Sequence, residues 1–324
     1  MHACSISAFC NNNICLLPSP SEELTSACPA SLTCVRVCAI APSKDNFWSS
    51  EVQPGGKFGN STEPYGELGG VITAYSTGPV AIGDGIGFTD VELVLRACTA
   101  ISGSLLQPSR PATAIDACFF QAAFGGTVGP VASKPKNYPV WSSHTEVSVC
   151  TGDTSCAPVK FGHVFAVHLK APFKLTPVML PLDVDSGTAA RPMLQWTGWG
   201  PSTNITLGQF SAAQPVALPA CAAHDFQLHH MAPIFALGSR KVALLGEPAK
   251  WVPIAGRRIG RISVSATKGL TVDLMGDAGE EVELVFAELS SAAGHISVVA
   301  LNCTIGATKT AVVVFPSAGA PTCA

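Results

Sequence analysis

The chain has 324 residues, 47% hydrophobic and only 13% charged, with 30 glycines, 25 prolines and 13 cysteines. A formal charge of -3, from 19 Lys plus Arg against 22 Asp plus Glu, excludes the clustered basic face of a nucleic-acid binder. The apolar content excludes a disordered acidic regulator. Mean hydropathy is +0.35, yet Gly, Pro, Ser and Thr punctuate every apolar run, so no membrane span is expected. Many turn formers with few charges point to short strands and turns.

Residues 1–45 read as an irregular leader holding Cys4, Cys10, Cys15, Cys28, Cys34 and Cys38. Their gaps are uneven and no CxxC pair occurs, so no metal site and no cofactor is predicted. The first ten residues lack a basic segment followed by a sustained apolar one, as a signal peptide would have. Sequons at Asn60, Asn204 and Asn302 point the other way. A start that has lost a leader reconciles the two hints and would place the protein in a secretory or lysosomal compartment.

Residues 46–125 change character. Glu67 to Thr77 reads as a short helix weakened by Gly69-Gly70. Pro79 to Ile82 reads as a short buried strand ending at Gly83-Asp84-Gly85. A helix from Thr89 to Cys98 follows, capped by Thr89 or Asp90, with Val91, Val94, Leu95 and Cys98 on its apolar face. Residues 126–158 read as a turn-rich link.

From residue 159 to 324 the pattern is that of an antiparallel β domain, expected as a sandwich. Strands are predicted at 161–169, 177–182, 191–197, 205–210, 241–245, 261–265, 270–274, 281–286, 295–301 and 309–315. Glu281 to Leu284 alternates as a half-solvated strand should. Strands at intervals of about ten residues separated by Gly, Pro and Asp carry this reading. The fold class expected is therefore mainly β.

Three groups of residues could carry chemistry. Asp84, at the end of its strand, could accept hydrogen bonds from sugar hydroxyls or close an Asx turn with the neighbouring glycines. Arg110 and Asp116 could pair across a rigid loop, a structural role, although Asp84 and Asp116 could also be posed as a glycosidase carboxylate pair. Trp196 and Trp199 flank Thr197-Gly198 and could stack on a sugar ring or pack in a core; Trp251 carries the same ambiguity. His224, His229 and His230 do not form HExxH, and read as a strand with a solvated polar face rather than a metal site. His163 and His168 read as hydrogen-bonded surface or core residues. Cys98, on a helix face, reads as buried and inert.

The run Ser76-Thr77-Gly78-Pro79-Val80-Ala81-Ile82-Gly83-Asp84, with Asp90, Leu93 and Leu95, resembles the last barrel strand and helix of the raffinose synthase and α-galactosidase-like glycoside hydrolases. The similarity continues through Ser102-Gly103-Ser104-Leu105-Leu106 and Arg110-Pro111-Ala112-Thr113-Ala114-Ile115-Asp116. Ser102 stands where that family usually has Asp, and Ala81-Ile82-Gly83 replaces a bulkier strand end.

The resemblance implies a partial (β/α)-barrel fragment followed by the tail β domain of such enzymes. In them the catalytic aspartates precede the last strand, and the 71 residues before this segment cannot hold seven more βα units. It therefore implies a C-terminal fragment or degenerate paralogue acting on α-galactoside-type sugars, with no catalytic residues of its own. An oligosaccharide or galactoside is the implied partner, with Asp84 on the substrate side. An active hydrolase with a divergent site, a non-catalytic carbohydrate-binding module and a purely structural secreted protein clamped by disulfides are the other three readings.

Overall fold

The computed structural model describes residues 44, 46–54, 62–119, 139–152, 155–182, 192–198, 204–289 and 296–324. The leader up to residue 43 and Trp199 lie outside them. Helix α1 (Gly66–Ser76) forms despite its two glycines because they are points of close approach. A Cβ on Gly69 would come within 3.1 Å of the Phe47 ring, and one on Gly70 within 3.2 Å of the Trp251 indole nitrogen. Helix propensity is spent here on packing. Helix α2 (Val91–Leu95) starts where expected, with the Asp90 carboxylate accepting from the Leu93 N–H at 3.0 Å. It stops after five residues, so the expected four-residue face does not form: Leu93 is the buried side chain and Val91 is exposed.

Two readings in this region are corrected. Pro79 to Ile82 is not a buried strand; Ile82 makes one parallel bridge to Phe47 and is exposed, with no further strand beside it among the described residues. Arg110 and Asp116 are both exposed and form no ion pair among the described residues.

The short strand β1 (Thr113–Ala114) leads to β2 (Val140–Thr151) and β3 (Ser155–Val167), which form a long hairpin pinned by the Cys150–Cys156 disulfide. Strand β2 falls inside the stretch read as a link, and its polar run Ser142-Ser143-His144-Thr145 is buried on both faces. Strand β4 (Phe173–Leu175) pairs with β7 (Val216–Leu218) in a separate two-stranded sheet. Between them Pro177–Met179 is a 3-10 turn rather than a strand, with proline in its first turn.

The other strands are β5 (Met193–Thr197), β6 (Thr206–Phe210), β8 (Phe226–Leu237), β9 (Arg240–Gly246) and β10 (Ile259–Ser265). The last are β11 (Gly269–Met275), β12 (Glu281–Leu289), β13 (Ile296–Thr304), β14 (Thr310–Phe315) and β15 (Thr322–Cys323). The chain is mainly β, as composition and turn spacing predict.

The strands join one large sheet in the order β13-β12-β9-β8-β3-β2-β10-β11-β14-β15, antiparallel except where β10 runs parallel to β2. Strand β8 is shared, its first half lying between β3 and β5 and its second half pairing with β9. Instead of two sheets packed face to face, this single sheet curls until its edges meet, and the Cys303–Cys323 disulfide ties β13 to β15. Near-closure of a twisted sheet hides edge groups that would otherwise pair with other chains.

The barrel-like interior is apolar, with Leu244, Ile262, Val272, Leu284, Phe286, Val313 and Phe315 all fully buried. A second core lies under α1 and α2, where Val71, Ile72, Tyr75, Leu93 and Trp251 meet Trp141 and Phe165 of the sheet. Residues 46–119 thus share a core with the strands. A third core sits beneath the β4–β7 sheet.

Three buried charges close one end of the barrel. Glu247 follows β9, Arg258 precedes β10 and Glu280 precedes β12. Arg258, with no exposed surface, donates from Nε to Glu247 at 2.7 Å and in a fork to both Glu280 oxygens at 2.7 and 2.9 Å. Glu280 also accepts from the Ala100 N–H, and Lys250 donates to the Leu95 and Cys98 carbonyls, so the cluster grips the α2 layer. Burial pushes the Glu247 carboxyl up despite the guanidinium, while the Arg258 fork helps hold Glu280 down.

Candidate functional site

An open groove of about 730 Å³ lies where the N-termini of α1 and α2 face the loop between β7 and β8. Six carboxylates line it: Glu51, Glu63, Glu67, Asp90, Glu92 and Asp225. Three have local partners. Glu63 accepts from the Trp48 N–H, Glu67 pairs with Arg96 at 3.2 Å, and Asp90 caps α2. Acids in the first turns of both helices suit the positive ends of the helix dipoles. At the rim the Tyr65 ring stacks on His224, centroids 4.0 Å apart and planes 13° from parallel. Tyr65 is 44% exposed, so an aromatic surface borders an array of acceptors.

Asp84 is not in the groove lining. It is the hub of a loop network, accepting from the backbone N–H of Ser49 at 2.8 Å, from the Ser49 hydroxyl, and from Gln53 Nε2 at 2.6 Å. The same Ser49 oxygen accepts from the Asp90 N–H at 2.7 Å, and Ser49 itself lines the groove. Asp84 therefore acts one step back, positioning a wall residue from a segment 35 positions earlier in the chain. Neither an Asx turn nor an open strand end describes it. The spacing of Ser49 and Gln53 carried no signal for this contact.

Trp196 lies elsewhere, 1% exposed and against His230 with ring centroids 4.5 Å apart. Its indole has no face open to a ligand in this arrangement; Trp251 is likewise fully buried, under Arg96. The solvated polar face expected for His224 to His230 is also corrected. His229 and His230 are both buried, because β8 runs between β3 and β5 with cores on either side. A hydrogen-bonded relay runs from His229 to the groove: His229 Nδ1 contacts Gln195 Nε2 at 3.0 Å, and its Nε2 contacts Gln227 Oε1 at 3.4 Å. Gln227 lines the groove and donates onward to the Pro219 carbonyl. Burial holds His229 down to about 4, so it serves as a neutral spacer.

No group of three His, Cys, Asp or Glu residues suited to a metal ion occurs among the described residues. Among the described cysteines Cys98, Cys118 and Cys221 are thiols. Burial pushes Cys118 up to about 11 and also raises Cys98, which makes both poor nucleophiles. No helix among the described residues is long and apolar enough to cross a membrane. The groove can thus hold a polar ligand by acceptor-rich walls and one aromatic surface. No family model matches the chain, and comparison with the curated proteins finds no match either.

Proposed function

We propose that this protein is a non-catalytic binder of oligosaccharides, related to the C-terminal part of α-galactosidase-like glycoside hydrolases. In this reading residues 46–119 correspond to the segment that resembles the end of a catalytic barrel, here without its buried strand, and the large sheet to the β domain that follows it. The observation that carries the reading is the groove, lined by six carboxylates, three of them without the local partners named above, with the half-exposed Tyr65 at its rim. Carboxylates accept charge-assisted hydrogen bonds from sugar hydroxyls, while an aromatic ring packs against the apolar face of a pyranose. Asp84 contributes through Ser49, and Trp196 contributes to the core. The Cys150–Cys156 and Cys303–Cys323 disulfides suit an oxidising compartment.

Titration calorimetry with raffinose and methyl α-galactoside tests this. Saturable binding is expected, at least tenfold weaker in Tyr65→Ala, with unfolding temperature unchanged and no release of galactose. Absence of binding, or binding indifferent to Tyr65→Ala, overturns the reading. Release of galactose would favour an active hydrolase instead.

A further inference from the structure

Ser143, His163, His230 and Trp196 stand side by side on β2, β3, β8 and β5, forming one row across four neighbouring strands. Within the row His163 meets the α1 layer, where the Tyr75 ring lies edge-on to it at 5.8 Å, while Trp196 packs in the barrel interior. The bonding pattern of its two histidines is over-determined. Thr145 donates its hydroxyl proton to the Ile254 carbonyl at 2.6 Å. The same oxygen can therefore meet His163 Nε2, 3.0 Å away, only as an acceptor. His163 then carries its proton on Nε2 and offers a bare Nδ1. Opposite that Nδ1, at 3.0 Å, lies His230 Nδ1, which must be the donor. One proton sits between the rings, and there is no room for a second.

We infer that the His163–His230 pair is a proton-sensitive latch holding the helical layer onto the sheet. A second proton on His163 Nδ1 would set two N–H groups head to head, and one on His230 Nε2 would bury an unsolvated charge, so the pair gains a proton only as the rings part. Their separation loosens Thr145 from Ile254, on the loop that presents Trp251 to α1. Tyr75 donates to the Trp251 carbonyl at 2.8 Å, so the link runs unbroken from the rings to the helix.

Among the described residues no acid stands ready to neutralise the new charge. Strand β2 brings Ser143, Thr145 and His144, and the Glu146 carboxylate is engaged by His144 at 3.2 Å. Strand β8 brings His229, β5 brings Trp196, and α1 brings the Tyr75 hydroxyl, already spent on Trp251. The connecting loop brings a carbonyl. Burial accordingly holds His163 down to about 3 and His230 lower than its ordinary value. The pair is neutral when folded and takes up protons when opened. Its grip is complete above about pH 6.5 and is lost as pH falls below that value toward 3.

Amide hydrogen exchange of α1, corrected for intrinsic rates, reads the latch. Between pH 7.5 and 5.5 the protection of Ile72 to Tyr75 is expected to fall about a hundredfold more in the native protein than in H163Q/H230N, tenfold for each histidine that charges on opening. Protection that is flat with pH, or equally steep in the variant, overturns the proposal. Where the variant fails to fold, ring NMR of the native protein decides. Neutral rings, His163 protonated at Nε2 and His230 at Nδ1, unchanged over that range, support it; titration near pH 6.5 in the folded state overturns it.

Discussion

The barrel interior and the seam beneath α1 are built on opposite terms. Inside the barrel, β9 to β14 contribute an apolar cluster, most of it fully buried, with Val264, Val299 and Leu301 partly buried beside it. The seam combines an apolar core with the hydrogen-bonded Thr145–His163–His230 chain on one side and the Arg258 cluster at the barrel end. Apolar packing tolerates substitution of similar shape because it is non-directional. A buried polar array does not, because each group removed leaves a partner desolvated and unpaired. The barrel gives the molecule its bulk stability, whereas the seam fixes how the groove-bearing layer sits upon it.

That contrast can be broken most sharply at Arg258. Replacing it by Ala strands two buried carboxylates, and a loss of about 3–5 kcal/mol is expected in urea unfolding at neutral pH. A loss near 1 kcal/mol would mean that the cluster relaxes into solvent, and that the seam is no more demanding than the barrel. Next in size is closure of the barrel itself. The double change C303S/C323S removes a cross-link spanning 20 residues, and about 3 kcal/mol should be lost by the same measurement. The smallest effect is expected inside the barrel, where Ile262→Val should cost about 1 kcal/mol with the unfolding slope unchanged. A larger cost there would show the interior to be as intolerant as the seam.

Much of the strand inventory was legible because one face of each strand meets the barrel core. Val282, Leu284 and Phe286 are buried and alternate with Glu281 and Glu283, which reach outward. The Asp90 cap was legible too, since a helix start exposes N–H groups that a short acidic side chain can meet locally. Strand β2 was not, because Val140 to Thr145 is buried on both faces and shows no alternation. Its serines, histidine and threonine look like a loop until the His163 and Ile254 partners are in place. Asp84 stood out in the sequence as a carboxylate at a strand end, yet its partners Ser49 and Gln53 lie more than 30 positions away. Nothing local to Asp84 announces them.

The groove shows the same division. Glu67 and Glu92 could be placed near helix starts from sequence, but their meeting with Asp225 and the Tyr65–His224 stack joins segments about 160 residues apart. Gly69 and Gly70 looked like faults in a helix and are contact points for Phe47 and Trp251.

Turn residues, apolar spacing and helix capping act over a few neighbours, so the sequence alone determined that this protein is mainly β, where most strands run and where a short helix begins. Tertiary structure alone decided that the sheet curls to meet its own edge, that Trp196 is core, and that Arg258 and two histidines hold a layer in place. Those outcomes depend on which distant groups share a low-dielectric space, where a charge or a proton must find its partner through the fold.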